Sequence, residues 1–559
     1  MDELLHYYER ELNRLRQATR QYAQDYPDIA AALELGPDAS TDPEVERLLQ
    51  SVALLNASTQ QAIENVRSDF HHALLQTLQP FYLRPMPSCG IAQVDTSSGR
   101  HGGPSTVMRI PRGAVLRCGA RWYSTAYDIE IAPIAIAQVK FQSTIDVPPT
   151  LRLPADSTCA LCITLETVNA STAFDAANAT PLRIFIDGEP GLRASLLDAI
   201  LMRCLCVCIE AHGKWHVMSA SPFRAIGFTQ EESLLAESGG DQLPRVLAEY
   251  SYFPEKFAFV ELDMPALIRC AGVHCKQLTL YIVLPNYQAT QLRQTSPKNL
   301  RLSCAPVINL AQQPAQATKV DGVRDAYQVV PSVPGSDIYS IDKVALLTAS
   351  GARILPPFHG TDHSAAGPFW QLDEQEGCAI KLVDRNQQPA TFDTGTIHVD
   401  LTCMNDQVPR QSIRLATQSS IGTFPISLAR APTLPRRFAE PGKLCAALYA
   451  VDTSLTTIKE LFKLHDCAQA EAFLHLSHKP ATAWIKHPGG LIHMDGNEYT
   501  LMVDEAALRD HSMSTLAAIL AMVLAARTYE NRFIQLCLVT QDAGLLLRTG
   551  PHIGQRKIA

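Results

Sequence analysis

Long apolar runs are scarce in this chain. The longest, residues 516–526, covers about half of what a bilayer span requires, so the sequence predicts no membrane-crossing helix. The start, Met1-Asp2-Glu3-Leu4-Leu5-His6, is acidic and lacks the apolar centre of a signal peptide. Clustered cations are missing too. The formal net charge is −8, and Arg10, Arg14, Arg16 and Arg20, the nearest approach to a basic patch, are interleaved with Glu9, Glu11 and Asp25. Phosphate binding needs grouped Lys and Arg, so the expectation is no nucleic-acid partner.

The usual signatures of chemistry are also missing. No Gly-x-Ser-x-Gly elbow, Gly-Lys-Thr phosphate loop or Gly-x-Gly-x-x-Gly turn occurs. The 15 cysteines are odd in number and scattered, which reads as reduced thiols in a cytoplasm. Cys159 and Cys162 form the one CxxC, but an alternating strand context would aim them at opposite faces. Cys204, Cys206 and Cys208 would share a strand face yet lie in a line, unlike the tetrahedral shell of zinc. His359 and His363 are four apart without a following glutamate, and Gly360 favours a loop. His475, His478 and His487 near Trp484 have no carboxylate among them. The sequence therefore predicts no catalytic residue, no metal and no cofactor.

What is present begins with two long helices. In the first, Leu5, Tyr8, Leu12, Leu15, Thr19 and Tyr22 recur at three and four spacings along one seam. The second opens where Asp42 can cap, Pro43 fits the first turn, and Glu44 and Glu46 favour the positive end of the dipole. Its seam reads Val45, Leu48, Val52, Leu55, Ala62, Val66, Phe70 and Leu74, and Pro80, Pro85 and Pro87 stop it. Two isolated helices with one narrow stripe each are marginal in water, so the seams call for partners, within this chain or outside it.

After Pro87 the period changes from 3.6 to 2. Residues 107–110 and 114–118 read as a hairpin about Pro111-Arg112-Gly113. Strands are expected at 182–186, 204–210, 277–284, 329–341, 499–503 and 533–539, and helices at 191–202, 444–464 and 512–533. The fold class is α+β. A helical assembly segment (1–88) precedes a first β-rich wing domain (89–240), a second β-rich domain (241–431) with a polar loop at 350–367, and a mixed α/β C-terminal domain (432–559).

The exit block is the most idiosyncratic stretch: His71-His72-Ala73-Leu74-Leu75-Gln76-Thr77-Leu78-Gln79-Pro80-Phe81-Tyr82-Leu83-Arg84-Pro85-Met86-Pro87-Ser88. It resembles the TssF family of type VI secretion baseplate proteins. Further blocks similar to that family follow in order: Tyr26-Pro27-Asp28-Ile29-Ala30, Asp42-Pro43-Glu44-Val45, Ile110-Pro111-Arg112-Gly113, Trp122-Tyr123, Ala225-Ile226-Gly227-Phe228, Phe253-Pro254-Glu255-Lys256-Phe257, Cys304-Ala305-Pro306, Leu401-Thr402-Cys403 and Asn531-Arg532-Phe533. Ala311 and Arg532 depart from the family pattern, and residues 443–464 match loosely.

The resemblance implies a cytoplasmic structural subunit related to contractile-phage baseplate wedges. It implies two copies with one TssG, contacts to TssK, TssE and the VgrG spike, and docking at the inner membrane through partners without insertion. The expected interface comprises Leu5, Tyr8, Leu12, Leu15, Tyr22, Val45, Leu48, Val52, Leu55, Val66, Phe70 and Leu74. A competing reading is a β-rich hydrolase or glycan-binding protein, with residues 350–367 and Phe369-Trp370 as a site rim.

Overall fold

A computed structural model describes residues 2–32, 42–96, 104, 106–118, 121–168, 173–174, 179–235, 242–272, 275–285, 290–320, 324, 326–349, 351–358, 368–373, 378–390, 394–405, 414–417, 424–487, 490–541 and 544–557. The chain divides into two compact units. One comprises residues 1–78 with 440–446, the other residues 79–439 with 447–559.

The first unit is helical. Helix α1 (Asp2–Asp25) ends just before Pro27, which opens the short α2 (Pro27–Ala32), as expected where a proline disfavours helical geometry in its predecessor. Helix α3 (Pro43–Leu78) runs for 36 residues. The Asp42 carboxylate accepts the Glu44 N–H at 2.8 Å, so the predicted cap is in place. Arg16 of α1 pairs with Glu46 of α3 at 2.8 Å, while Leu4 and Tyr8 share a groove with Gln50 and Leu54. The two helices therefore run antiparallel. Residues 440–446 complete the unit, with Gly442 lying beside His71.

The second unit is built on sheets. Strands Cys89–Val94, Cys304–Ile308, Arg121–Thr125, Val115–Cys118, Arg414–Thr417 and Ile426–Leu428 form, in that order, a closed barrel. A five-stranded antiparallel sheet places Cys159–Thr167 and Gln277–Leu284 at its centre, with Cys206–Ala211, Lys214–Met218 and Ile134–Gln142 outside them. Its strands come from both sides of residue 240. Central strands buried on both faces read as nearly continuous apolar runs, which is why Cys159, Ala160, Leu161, Cys162 and Ile163 follow one another. Another five-stranded sheet is formed mainly by Ala311–Pro314, Gly395–Asn405, Ser336–Thr348 and Gly351–Leu355.

Toward the C-terminus, Phe473–His487 and Gly490–Val503 form a long hairpin. The second of these strands pairs in parallel with Phe533–Thr540, and helix Met513–Ala526 makes the crossover. A crossover helix buried on nearly every side accounts for the longest apolar run of the sequence. Its N-terminus is held by Asp198, which accepts the N–H groups of Met513 (2.9 Å) and Ser514 (3.0 Å) and the Ser512 hydroxyl (2.7 Å). Mixed helix and strand content agrees with the α+β expectation.

Four local expectations are corrected. Met108–Ile110 pairs with Ile129–Ile131, while Val115–Cys118 pairs with Arg121–Thr125, so residues 107–118 are not one hairpin. The strand expected at 329–341 starts at Ser336, after Pro331 and Pro334. Residues 351–355, expected in a loop, form an edge strand on Ser336–Thr348. The helix expected at 444–464 is two helices, Pro441–Leu448 and Leu455–Leu464, and the second begins where the Ser454 hydroxyl accepts the Thr457 N–H.

Candidate assembly surface of the helical unit

The side of α1 that carries the expected seam is only half closed. Tyr8, Leu12, Leu15 and Thr19 are half-buried, Glu11 is buried among them, and Leu5 and Tyr22 stay exposed. Glu11 lies 4.0 Å from Arg10 and 3.9 Å from Arg14, which offsets part of the cost of placing a carboxylate there.

The first half of α3 turns small residues inward and large ones outward, while near its end Leu75 is fully buried. Ala53 and Ala57 are fully buried, whereas Leu48, Leu55 and Phe70 are 65 %, 66 % and 63 % exposed. At about 100° per residue, Leu48, Val52, Leu55, Ile63 and Phe70 fall within an arc of roughly 80°, opposite Ala53 and Ala57. Val45 and Leu74, toward the two ends of the same stripe, are half-buried. The side chain of Val66 lies outside the described residues. Small residues on the inner face let α1 approach closely, and the large ones are turned to solvent. From 48 to 70 the stripe runs for about 33 Å at 1.5 Å per residue. With 24 residues against 36, α1 lies along only part of α3, and it packs on the alanine side rather than on the stripe.

From Gln79 onward the exit block belongs to the second unit and is anchored there. Phe81, Tyr82, Met86, Pro87 and Ser88 are buried. The Tyr82 hydroxyl lies 2.6 Å from the Pro244 carbonyl and 2.8 Å from His465 Nε2, and Met86 bridges Arg436. Two other family-like blocks meet in a buried charge network that sequence reasoning did not foresee. Glu249 is fully buried, accepts the N–H groups of Leu234 (2.9 Å) and Leu235 (3.1 Å), and pairs with Arg245 (3.2 Å) and Lys256. Lys256 also donates to the Gly227 carbonyl at 2.7 Å, and burial holds its amine below the usual range against the pull of Glu249. Glu232 accepts the N–H groups of Gly227, Phe228 and Thr229. Gly227 has φ +112° and a Cβ there would sit 3.0 Å from the Phe257 ring, so both conformation and space require glycine. Two carboxylates and two cations from three segments thus fold a loop onto a helix.

The residues with metal or redox potential occupy packing positions. Cys159 and Cys162 lie in one buried strand three residues apart. Cys206 and Cys208 pack with Val283 against Trp215 and Tyr281. Across the long hairpin His478 lies against Tyr499, and Trp484 meets His493 edge-on. His359 and His363, and with them most of the loop proposed as a hydrolase rim, lie outside the described residues. A cavity of about 510 Å³ lies between Val107, Pro133, Phe174 and Ile268, and the described residues that line it include no carboxylate. No group of three or more metal-ligating side chains occurs among the described residues.

Comparison with known proteins gives a consistent answer. A family model described as "Type VI secretion system, TssF" matches residues 1–556. The chain is 26 % identical to the type VI secretion system component TssF1 of Pseudomonas aeruginosa, covering 99 % of both chains. It is also similar in fold to a chain of the type VI secretion system TssK-TssF-TssG baseplate subcomplex solved by cryo-electron microscopy. That match has a TM-score of 0.69 at 20 % identity, over 92 % of this chain and 99 % of that one.

Proposed function

This chain belongs to the TssF family of type VI secretion systems, and from that premise we propose that it is a structural subunit of the baseplate wedge. Two copies join one TssG through the helical unit, and the β-rich regions reach outward as wings. The wedge so formed carries TssK and TssE, connects to the VgrG spike, and supports assembly of the sheath and tube. No described helix is long and apolar enough to cross a membrane. In this reading the wedge docks at the inner membrane through its partners. The role is scaffolding rather than catalysis.

The observation that carries this reading is the outward stripe of α3. Leu48, Val52, Leu55, Ile63 and Phe70 present apolar area along one side of a long helix, the arrangement that helical bundles close by adding helices. The test is co-expression with the TssG and TssK homologues and measurement of complex mass and affinity. Leu48→Asp with Leu55→Asp should reduce affinity by about a hundredfold or more, since each central anchor is worth about 2 kcal/mol or above. The circular dichroism and protease resistance of the β-rich unit should not change. Wild-type affinity in this variant would overturn the proposal. Leu12→Asp is a poorer probe, because Leu12 is already half-buried within the chain.

A further inference from the structure

The β-rich unit contains a cavity that the scaffold reading leaves unused, the hollow of about 510 Å³ beside helix Met264–Ala271. Its depth follows from exposure. Ala132, Phe174, Leu182, Met264 and Ile268 line it and are buried, so they form its floor. Thr106, Val107, Ala173 and Thr180 also line it and are exposed, so they form its mouth. The floor is preorganised. Phe174 donates its N–H to the Cys275 carbonyl at 2.8 Å, and Leu182 pairs with Leu262 between strands. Met264 and Ile268 stand one turn apart on a helix whose first turn is capped by the Asp263 carboxylate. Protein interiors close-pack and seldom leave voids larger than a water molecule. This hollow has room for more than about fifteen waters, and its apolar walls would give them few hydrogen bonds. A preformed apolar cavity of that size has the proportions of a small-molecule site.

The lining narrows the occupant. Among the described residues it includes no Asp, Glu, Lys, Arg or His, so a charge brought in from water would find no partner there. Its side-chain hydroxyls belong to threonines, and Thr106 and Thr180 place theirs at the mouth. An occupant that suits both ends has a hydrocarbon part for the floor and an uncharged hydrogen-bonding group for the rim. Size sets the rest. An apolar cavity of about 150 Å³ takes up one benzene, so by the same ratio this one holds up to about twenty carbon atoms. Buried walls on the floor also favour a small molecule over a flat protein surface, which would need its apolar contacts spread around the outside.

We propose that this cavity binds a neutral amphiphile, with an acyl tail of about ten to sixteen carbons on the floor and an uncharged ester or hydroxyl head beside Thr106 and Thr180. The assignment is independent of the scaffold reading. The probe is a series of monoacylglycerols with tails of about eight to fourteen carbons, titrated into the full-length chain below their micelle concentrations and followed by calorimetry and thermal shift. Binding should be one to one, and affinity should rise about fourfold for each added methylene, as expected when a CH₂ leaves water for an apolar wall. The fatty acid of the same length, ionised at neutral pH, should bind about tenfold more weakly or worse. Thr180→Trp and Ala173→Trp should each abolish binding by filling the mouth. Both positions are exposed, so the melting temperature of the free chain should stay at the wild-type value. Lack of saturable binding across the series would overturn the proposal. So would binding that survives both tryptophan variants, since the ligand would then sit elsewhere on the chain, and so would equal affinity for the fatty acid and its monoacylglycerol. If no amphiphile binds and the tryptophan variants instead weaken the complex with co-expressed TssG or TssK homologues, the cavity is a socket for a partner's side chains; the proposal then falls while the scaffold reading stands.

Discussion

The two units of this chain bury opposite kinds of residue. In the β-rich unit even charges are inside: Arg245, Glu249 and Lys256 are almost wholly removed from solvent, and each has partners there. In the helical unit, α3 buries Ala53 and Ala57 and exposes Leu48 and Leu55. A unit that spends hydrogen bonds to bury ions has its shape decided within the chain. A helix that leaves Leu48 and Leu55 outside gains little from them until something else covers them. The contrast supports the proposal that the helical unit is the part completed by assembly.

The largest effect should come from attacking the buried charges. Glu249→Ala leaves Lys256 and Arg245 without their shared carboxylate and removes the acceptor of two backbone N–H groups. Breaking a buried pair in this way costs about 3–5 kcal/mol. Hydrogen exchange should show residues 227–235 losing protection first, since Glu249, Lys256 and Glu232 together hold that segment. A cost below about 1 kcal/mol would erase the distinction between the units.

A pH titration sharpens the same point through His465. This ring is fully buried; it lies 2.7 Å from the Leu461 carbonyl on one side and 2.8 Å from the Tyr82 hydroxyl on the other. Burial pushes its pKa down to about 4, against an ordinary value of 6.5. On acidification the unfolded chain therefore takes up a proton that the folded unit refuses. Stability from this group is full above pH 6.5 and is lost progressively down to about pH 4, to a limit of about 3 kcal/mol. Urea unfolding of wild type and His465→Gln, compared at pH 7.5, 6 and 5, should show a steeper acid loss in wild type. Parallel curves would mean that the exit block is not held by a neutral imidazole.

An intermediate effect is expected where the helical unit is closed. Ala57→Leu adds three carbons at a site with no exposed surface, and overpacking of that kind costs about 1–3 kcal/mol. The readout is amide exchange in α1 and the first half of α3. If the larger residue is accepted without cost, the alanine face does not set the helix separation.

Much of this was legible from residue order, but unevenly. Asp42, Pro43 and Pro80 mark the ends of α3 because caps and prolines act locally. The strand Gln277–Leu284 was visible from its alternation and flanks. The pairing of Met108–Ile110 with Ile129–Ile131 was not, since a local turn signal at Gly113 competes with a partner farther along the chain. The charge network was missed for a related reason: Glu232, Glu249 and Lys256 look like ordinary surface residues until three segments converge. On α3, periodicity located the apolar stripe but did not tell which face the chain covers. Hydropathy counts a leucine above an alanine, whereas close helix contact favours the smaller side chain.

The smallest effect tests that last distinction most directly. Leu55→Ala removes a large apolar side chain and replaces it with the residue of highest helix propensity. Were Leu55 part of a core, the change would cost about 2–5 kcal/mol. At 66 % exposure on the stripe it should leave the stability of the isolated chain within about 0.5 kcal/mol, and α3 should exchange its amides at the wild-type rate. The same substitution should nonetheless weaken binding to the co-expressed partner measurably, because truncating an interface anchor is paid only when the interface forms. A change that is silent alone and costly in complex separates a docking side chain from a structural one. If Leu55→Ala destabilises the free chain as a core substitution would, the stripe is already covered within the molecule, and the two units are built on the same principle after all.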